Sequence, residues 1–102
     1  MQLQHESAEN IKRQILEIIG RHVDLKTVRV FFFGSRVSGK FREFSDIDVG
    51  IEGPHPLLPG VLSDIQEEVE ELPVLYKIDI VDFANVNEKF KNIAKEHIEF
   101  VN

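Results

Sequence analysis

Val30-Phe31-Phe32-Phe33-Gly34-Ser35 and, ten residues further on, Asp46-Ile47-Asp48-Val49 are the segments whose reading decides the fold. The β-branched and aromatic run over residues 27–33 predicts a strand buried on most sides, stopped abruptly at Gly34. Residues 47–51 predict a second strand, closed by Gly53-Pro54 and Pro56. So short a connection suits an antiparallel pair with an elaborated turn rather than a parallel crossover. Strand one then ends where strand two begins, and Gly34, Ser35, Asp46 and Asp48 meet at one edge of the sheet.

Working outward, Ile11, Ile15, Ile18 and Ile19 form the stripe of an amphipathic helix over residues 8–21, with Ser7 as N-cap and Gly20 as its stop. Residues 57–72 predict a second helix with Leu58, Val61, Ile65, Val69 and Leu72 on one face, ended by Pro73. Residues 76–83 predict a third strand, which carries Asp79. The helix between strands two and three has the length a right-handed parallel crossover needs. Asp79 therefore arrives at the same end of the sheet as Asp46 and Asp48. Asn85 or Asn87 caps a last helix with Val86, Phe90, Ile93 and Ala94 facing inward, and residues 98–101 extend away from it. The expected fold is α/β (α+β): a single domain over residues 1–102, with a small mixed three-stranded sheet, helices on one face and the site on the other.

Composition narrows the function classes. At 102 residues the chain supports one modest core. No apolar run approaches the roughly 20 residues of a membrane helix. Residues 1–6 lack the basic and apolar regions of a signal peptide. Cysteine is absent, which excludes a disulfide framework and thiolate metal sites. These features predict a cytoplasmic protein without membrane association. A net charge of −6 argues against direct, sequence-independent nucleic-acid binding but not against a nucleotide, because Mg²⁺ can sit between carboxylates and phosphates. Glu67-Glu68-Val69-Glu70-Glu71 reads as a solvated helix face.

Residues two apart on a strand share a face, so Asp46 and Asp48 project together while Ile47, Val49 and Ile51 enter the core. Clustered carboxylates repel one another unless a cation neutralises them. Two Mg²⁺ ions held there would stabilise the attacking and leaving oxygens of an in-line displacement. Gly34 allows a sharp turn and close approach of backbone N–H groups to a phosphate, and Ser35 adds a hydroxyl. Residues 36–40 form a short helix, and Arg36, Lys40 and Arg42 are the basic cluster that offsets triphosphate charge.

Gly34-Ser35-Arg36-Val37-Ser38-Gly39, Ser45-Asp46-Ile47-Asp48-Val49 and Ile78-Asp79-Ile80-Val81 together resemble the minimal nucleotidyltransferases of the DNA polymerase beta superfamily, most nearly the MNT antitoxins that pair with HEPN toxins. The resemblance runs from the first helix to the last strand. It implies that Asp46 and Asp48 bind metal, that Asp79 is the third carboxylate and helps activate the acceptor hydroxyl, and that Gly34 and Ser35 hold the triphosphate. The family often has a second arginine where this chain has Ser38. The implied activity is transfer of NMP, AMP from ATP, to a hydroxyl of another protein. No residues remain for an acceptor-holding domain, so the acceptor is expected on a partner chain. The implied partner is a small helical HEPN RNase toxin, neutralised by adenylylation of a tyrosine, in a hetero-oligomer or beside a homodimer. A rival expectation is a non-catalytic module that neutralises or scaffolds such a partner by contact. A small-molecule nucleotidyltransferase is a third.

The remaining features have plainer readings. Phe31-Phe32-Phe33 is core packing. Phe41 and Phe44 either pack under their loop or contact a base or partner. His5, His22, His55 and His97 lack metal-ligand spacing. Glu52 is read as a solvated carboxylate near the site, and Tyr76 as a strand residue with a satisfied hydroxyl.

Overall fold

The computed structural model describes residue 3, residues 7–39 and residues 46–102, with only the backbone of Ser35. His5, Lys40, Phe41, Arg42, Phe44 and Ser45 lie outside the described residues. The elements run α1 (Ala8–Gly20), β1 (Arg29–Phe33), α2 (Ser35–Ser38), β2 (Ile47–Glu52), α3 (Val61–Glu70), β3 (Ile78–Asp82), a 3-10 turn (Phe83–Asn85), α4 (Glu88–Ala94) and β4 (Glu99–Phe100). Among the described residues no helix is long and apolar enough to cross a membrane.

The sheet has the order β3-β2-β1-β4. As expected, β1 pairs antiparallel with β2, and β2 pairs parallel with β3. The sheet has four strands rather than three, because residues 98–101 turn back along the free edge of β1. Phe31 pairs with Phe100 and Phe32 with Glu99, and Val101 N–H donates to Val30 O at 2.8 Å. The Asn102 side chain continues this edge: its Oδ1 accepts from Val30 N–H and its Nδ2 donates to Val28 O, each at 2.7 Å. An open strand edge leaves backbone donors and acceptors unpaired, which is what these residues remedy.

One face of the sheet carries the main core. Val30 and Phe32 of β1, Ile47, Val49 and Ile51 of β2, and Ile78 and Ile80 of β3 pack against Ile11, Ile15, Ile18 and Ile19 of α1 and Ile65 and Val69 of α3. Each buried aliphatic side chain stabilises by about 1.5–3 kcal/mol, so this layer dominates folding. Ser7 caps α1 as expected, accepting from Asn10 N–H at 3.3 Å. The expected α3 boundary shifts: the Pro59-Gly60 turn delays the helix to Val61, and Leu58 is 75% exposed rather than part of the apolar stripe. Proline cannot donate to a helical turn and biases its predecessor to extended backbone.

The other face is different. Phe31, Phe33 and Phe83 form a second cluster there, with Phe31 and Phe83 edge-to-face at 4.8 Å. Gly50 makes room for it, since a Cβ at that position would lie 2.5 Å from Phe31 and 2.8 Å from Phe83. Asn87 supplies the N-cap of α4, accepting from Phe90 N–H at 2.8 Å. The helix sits at the rim of this aromatic cluster and is tied down by Glu52, which pairs with Lys91 at 3.6 Å and Lys95 at 2.5 Å. Glu52 is thus ion-paired, at the end of β2 remote from Asp48. Phe90 and Ile93 are less enclosed than expected, although the Phe90 ring still rests against Phe33 and Phe83. They are 40% and 59% exposed, and α4 has no buried residue. The long helices α1 and α3 leave the aspartate face free, while the 3-10 turn and α4 cover its Phe31–Phe33 side.

Candidate active site

Strand register brings the sequence-predicted residues together. Asp48 pairs with Phe33 on one side and with Asp79 on the other, so the last residue before Gly34 and two carboxylates lie in one row across the sheet. Asp46 is exposed just ahead of β2, and Asp48 and Asp79 are half-buried. Burial, then the charges of Asp79 and Asp46, push the Asp48 carboxyl up to about 6. Asp79 has a partial counter-charge in Lys77, 3.8 Å away at the exposed strand start.

Gly34 abuts this row. Its φ is +81°, and a Cβ there would fall 2.3 Å from Asp48 Oδ2. Only glycine combines that backbone angle with that approach. Its carbonyl accepts from Val37 N–H at 3.2 Å and Ser38 N–H at 3.1 Å, which winds α2 as a single turn. Ser35 is the first residue of α2, directly after the strand. Arg36 turns inward: it is 2% exposed, and its guanidinium stacks over the Tyr76 ring at 4.6 Å. Its charge lies at the base of the turn, in contact with the segment that enters β3.

Two side chains that the sequence did not single out fix the backbone around β3. The Gln66 side chain, projecting from α3, donates to Ile78 O at 2.8 Å and accepts from Ile80 N–H at 2.9 Å. It pins the outer edge of β3 on both sides of Asp79. At the far end of β3, the buried Asp82 is committed to structure, accepting from Leu57 N–H at 2.8 Å and Ala84 N–H at 3.0 Å. A hydrophobic-period reading has no signal for a helix glutamine that mimics a neighbouring strand.

Among the described residues no three His, Cys, Asp or Glu side chains converge tightly enough to enclose a metal ion. The donor chemistry nevertheless fits a hard divalent cation, because burial and then the charges of Asp79 and Asp46 destabilise the Asp48 anion, a penalty a cation would relieve. The raised value also fixes a sign. Folding favours the protonated form of Asp48, so stability is lost as pH rises toward and through about 6. Asp48→Asn removes that penalty. Without divalent metal, the variant is expected to be roughly 1–2 kcal/mol more stable than wild type at pH 7.5, after allowing for solvent screening of a half-exposed group. That is a rise in melting temperature of about 4–10 °C. Thermal melts should show the gain shrinking toward pH 4, and an equal gain at both pH values would contradict the assignment.

Residues 12–101 match the nucleotidyltransferase domain family. The chain belongs to that family. This nucleotidyltransferase domain is 33% identical over 67 residues to the probable protein adenylyltransferase MntA of Haemophilus influenzae, an alignment covering 66% of this chain and 59% of that protein. The chain thus spans less than two thirds of the curated relative it matches. Its fold is shared with a toxin–antitoxin structure solved with AMP-PNP, at a TM-score of 0.73 and 15% identity, covering 89% of this chain and 72% of that one. It is also shared with a chain of the complex of tri-AMPylated Shewanella oneidensis HEPN toxin with MNT antitoxin, at a TM-score of 0.70 and 14% identity, covering 92% and 71%. The nucleotidyltransferase fold expected from the motifs is therefore the fold observed.

Proposed function

We propose that this nucleotidyltransferase domain moves AMP from ATP to a tyrosine hydroxyl of a small helical HEPN-type RNase in the cytoplasm, neutralising it as an antitoxin. The observation that carries the proposal is the row Phe33–Asp48–Asp79, with Gly34 in contact with Asp48. It sets a tight glycine turn against paired carboxylates, which supports a phosphate site there. The name of the Haemophilus influenzae relative supports protein as the acceptor, and the solved complexes that share the fold support a HEPN partner.

In this reading the backbone at Gly34 and Ser35 approaches the triphosphate, with the Arg36 charge beneath it. Asp46, Asp48 and Asp79 supply the oxygens that would hold Mg²⁺. When bound, Mg²⁺ stabilises charge on the attacking and leaving oxygens. The acceptor oxygen bonds to the α-phosphorus, the bond from that phosphorus to the β-bridging oxygen breaks, and pyrophosphate leaves. Asp79, near the exposed start of β3, takes the hydroxyl proton. Gln66 keeps Asp79 in register with Asp48. Co-expression with the helical partner tests this. The partner's intact mass should rise by one or more AMP units with wild type and stay unchanged with Asp46→Asn; an unchanged mass with both would overturn the proposal.

The sheet face that α1 and α3 leave free, with Asp48 and Asp79 only half-buried on it, also suits one other reading, a module that neutralises its partner by contact. That reading requires Asp48→Asn and Asp79→Asn to protect cells as well as wild type does.

A further inference from the structure

The glycine turn and Asp79 stand on different elements, and the chain that leads into β3 is irregular over residues 71–77. Near the site this segment is attached at adjacent residues. Lys77 O accepts from Ile47 N–H at 2.9 Å, between Asp46 and Asp48 of the neighbouring chain. One residue earlier, the Tyr76 ring is 4% exposed and lies under the Arg36 guanidinium, 4.6 Å away. We infer that the Arg36–Tyr76 stack is a positioning contact for nucleotidyl transfer, which sets the glycine turn at a fixed distance from Asp79. The inference rests on the nucleotidyl-transfer reading. It gives Arg36 a task besides its charge, and gives Tyr76 a task in the reaction without contact to the substrate.

Three observations carry it. First, strand pairing stops at Phe33, so the turn lies beyond the ladder. Arg36 belongs to that turn, which is wound by the Val37 and Ser38 N–H bonds to Gly34 O, and its side chain spans from the turn to the entry of β3. Second, the contact is buried at a cost. Arg36 is 2% exposed, and a permanent cation is rarely taken out of water so completely. The ring face offsets part of that cost, and a planar guanidinium stacks on it in a defined orientation, which an ammonium cannot do. The stack therefore fixes direction as well as distance. Third, Tyr76 precedes Asp79 by three residues, and the pairs Ile47–Ile78 and Asp48–Asp79 carry any shift at Tyr76 into the carboxylate row. The Gln66 side chain fixes β3 against α3, on the edge away from the turn. Displacement of reacting groups by about an ångström is enough to cost about a hundredfold in rate.

The test measures AMP transfer to the helical partner over a range of ATP concentrations with Mg²⁺ present. The proteins are wild type, Tyr76→Leu, Tyr76→Phe, Arg36→Met, the double variant Arg36→Met/Tyr76→Leu, and Ile15→Val as a core control on α1. Each is assayed well below its own melting midpoint. The expected result is a fall in kcat of about tenfold or more in Tyr76→Leu, with KM for ATP unchanged. Tyr76→Phe keeps the ring face and should restore kcat to within about twofold of wild type, and Ile15→Val should match wild type. Arg36→Met should also lower kcat, and the double variant should lose no more than the worse single variant, because both remove one contact. An unchanged kcat in Tyr76→Leu overturns the inference while leaving nucleotidyl transfer intact. So does a rise in KM alone, an equal loss in Tyr76→Phe or Ile15→Val, or losses that multiply in the double variant. Should circular dichroism show Tyr76→Leu unfolded, Arg36→Met decides alone, and an unchanged kcat in it overturns the inference. If wild type transfers no AMP, the underlying reading fails and the inference falls with it.

Discussion

Gly34→Ala is expected to lower nucleotidyl transfer by about a hundredfold or more, the consequence of displacing reacting groups by about an ångström. Two separate effects act at this position. A φ of +81° costs an L-residue roughly 1–2 kcal/mol. The new Cβ would also overlap Asp48 Oδ2, so the carboxylate must swing out of its row or the turn must move. Gly60→Ala separates the two effects, because Gly60 has a φ of +85° and nothing within 4 Å of where its Cβ would stand. Both variants should lose comparable stability in urea titrations. Only Gly34→Ala should lose rate at saturating ATP, and an equal rate loss in both would remove the Gly34–Asp48 contact from the mechanism.

The second large effect is expected at Asp79. Asp79→Asn leaves a side chain of the same shape, still framed by the two Gln66 hydrogen bonds to the β3 backbone. It removes the group assigned to take the hydroxyl proton, and general-base removal costs typically 10²–10⁴ in rate. Turnover should fall by roughly that factor, while the complex with the helical partner stays intact in size-exclusion chromatography. The substitution also removes one of the charges that push Asp48 up, so the metal-free variant should be more stable than wild type near neutral pH. Full turnover by Asp79→Asn would assign the proton to another group.

Much of this site can be read in the sequence because strand period and connection length are strong constraints. The Phe31-Phe32-Phe33 run and the Asp-Ile-Asp alternation specify faces, and the short connection specifies an antiparallel pair whose ends coincide. The observed partners Phe33 and Asp48 are the outcome. The crossover through α3 likewise brings Asp79 beside Asp48. What escaped prediction depends on tertiary geometry. β4 is two residues long and exists because β1 offers an unpaired edge, so it has no periodic signal of its own. Phe90 and Ile93 look like core residues by spacing, but the aromatic cluster beneath them is already filled by Phe31, Phe33 and Phe83. Arg36 reads as part of a basic cluster beside the phosphates, and nothing in the sequence signals that α2, a single turn, sets its guanidinium over Tyr76. Gln66 is indistinguishable in sequence from any polar residue on a helix flank.

The measurement that bears most directly on the central claim is the fate of labelled phosphorus in a reaction of the purified chain, its helical partner, Mg²⁺ and ATP. Label in the α-phosphate should appear covalently on the partner, label in the γ-phosphate should be released as pyrophosphate, and neither should transfer with Asp46→Asn. Transfer of the γ-label, or of no label at all while the partner is still neutralised, would contradict nucleotidyl transfer by this site.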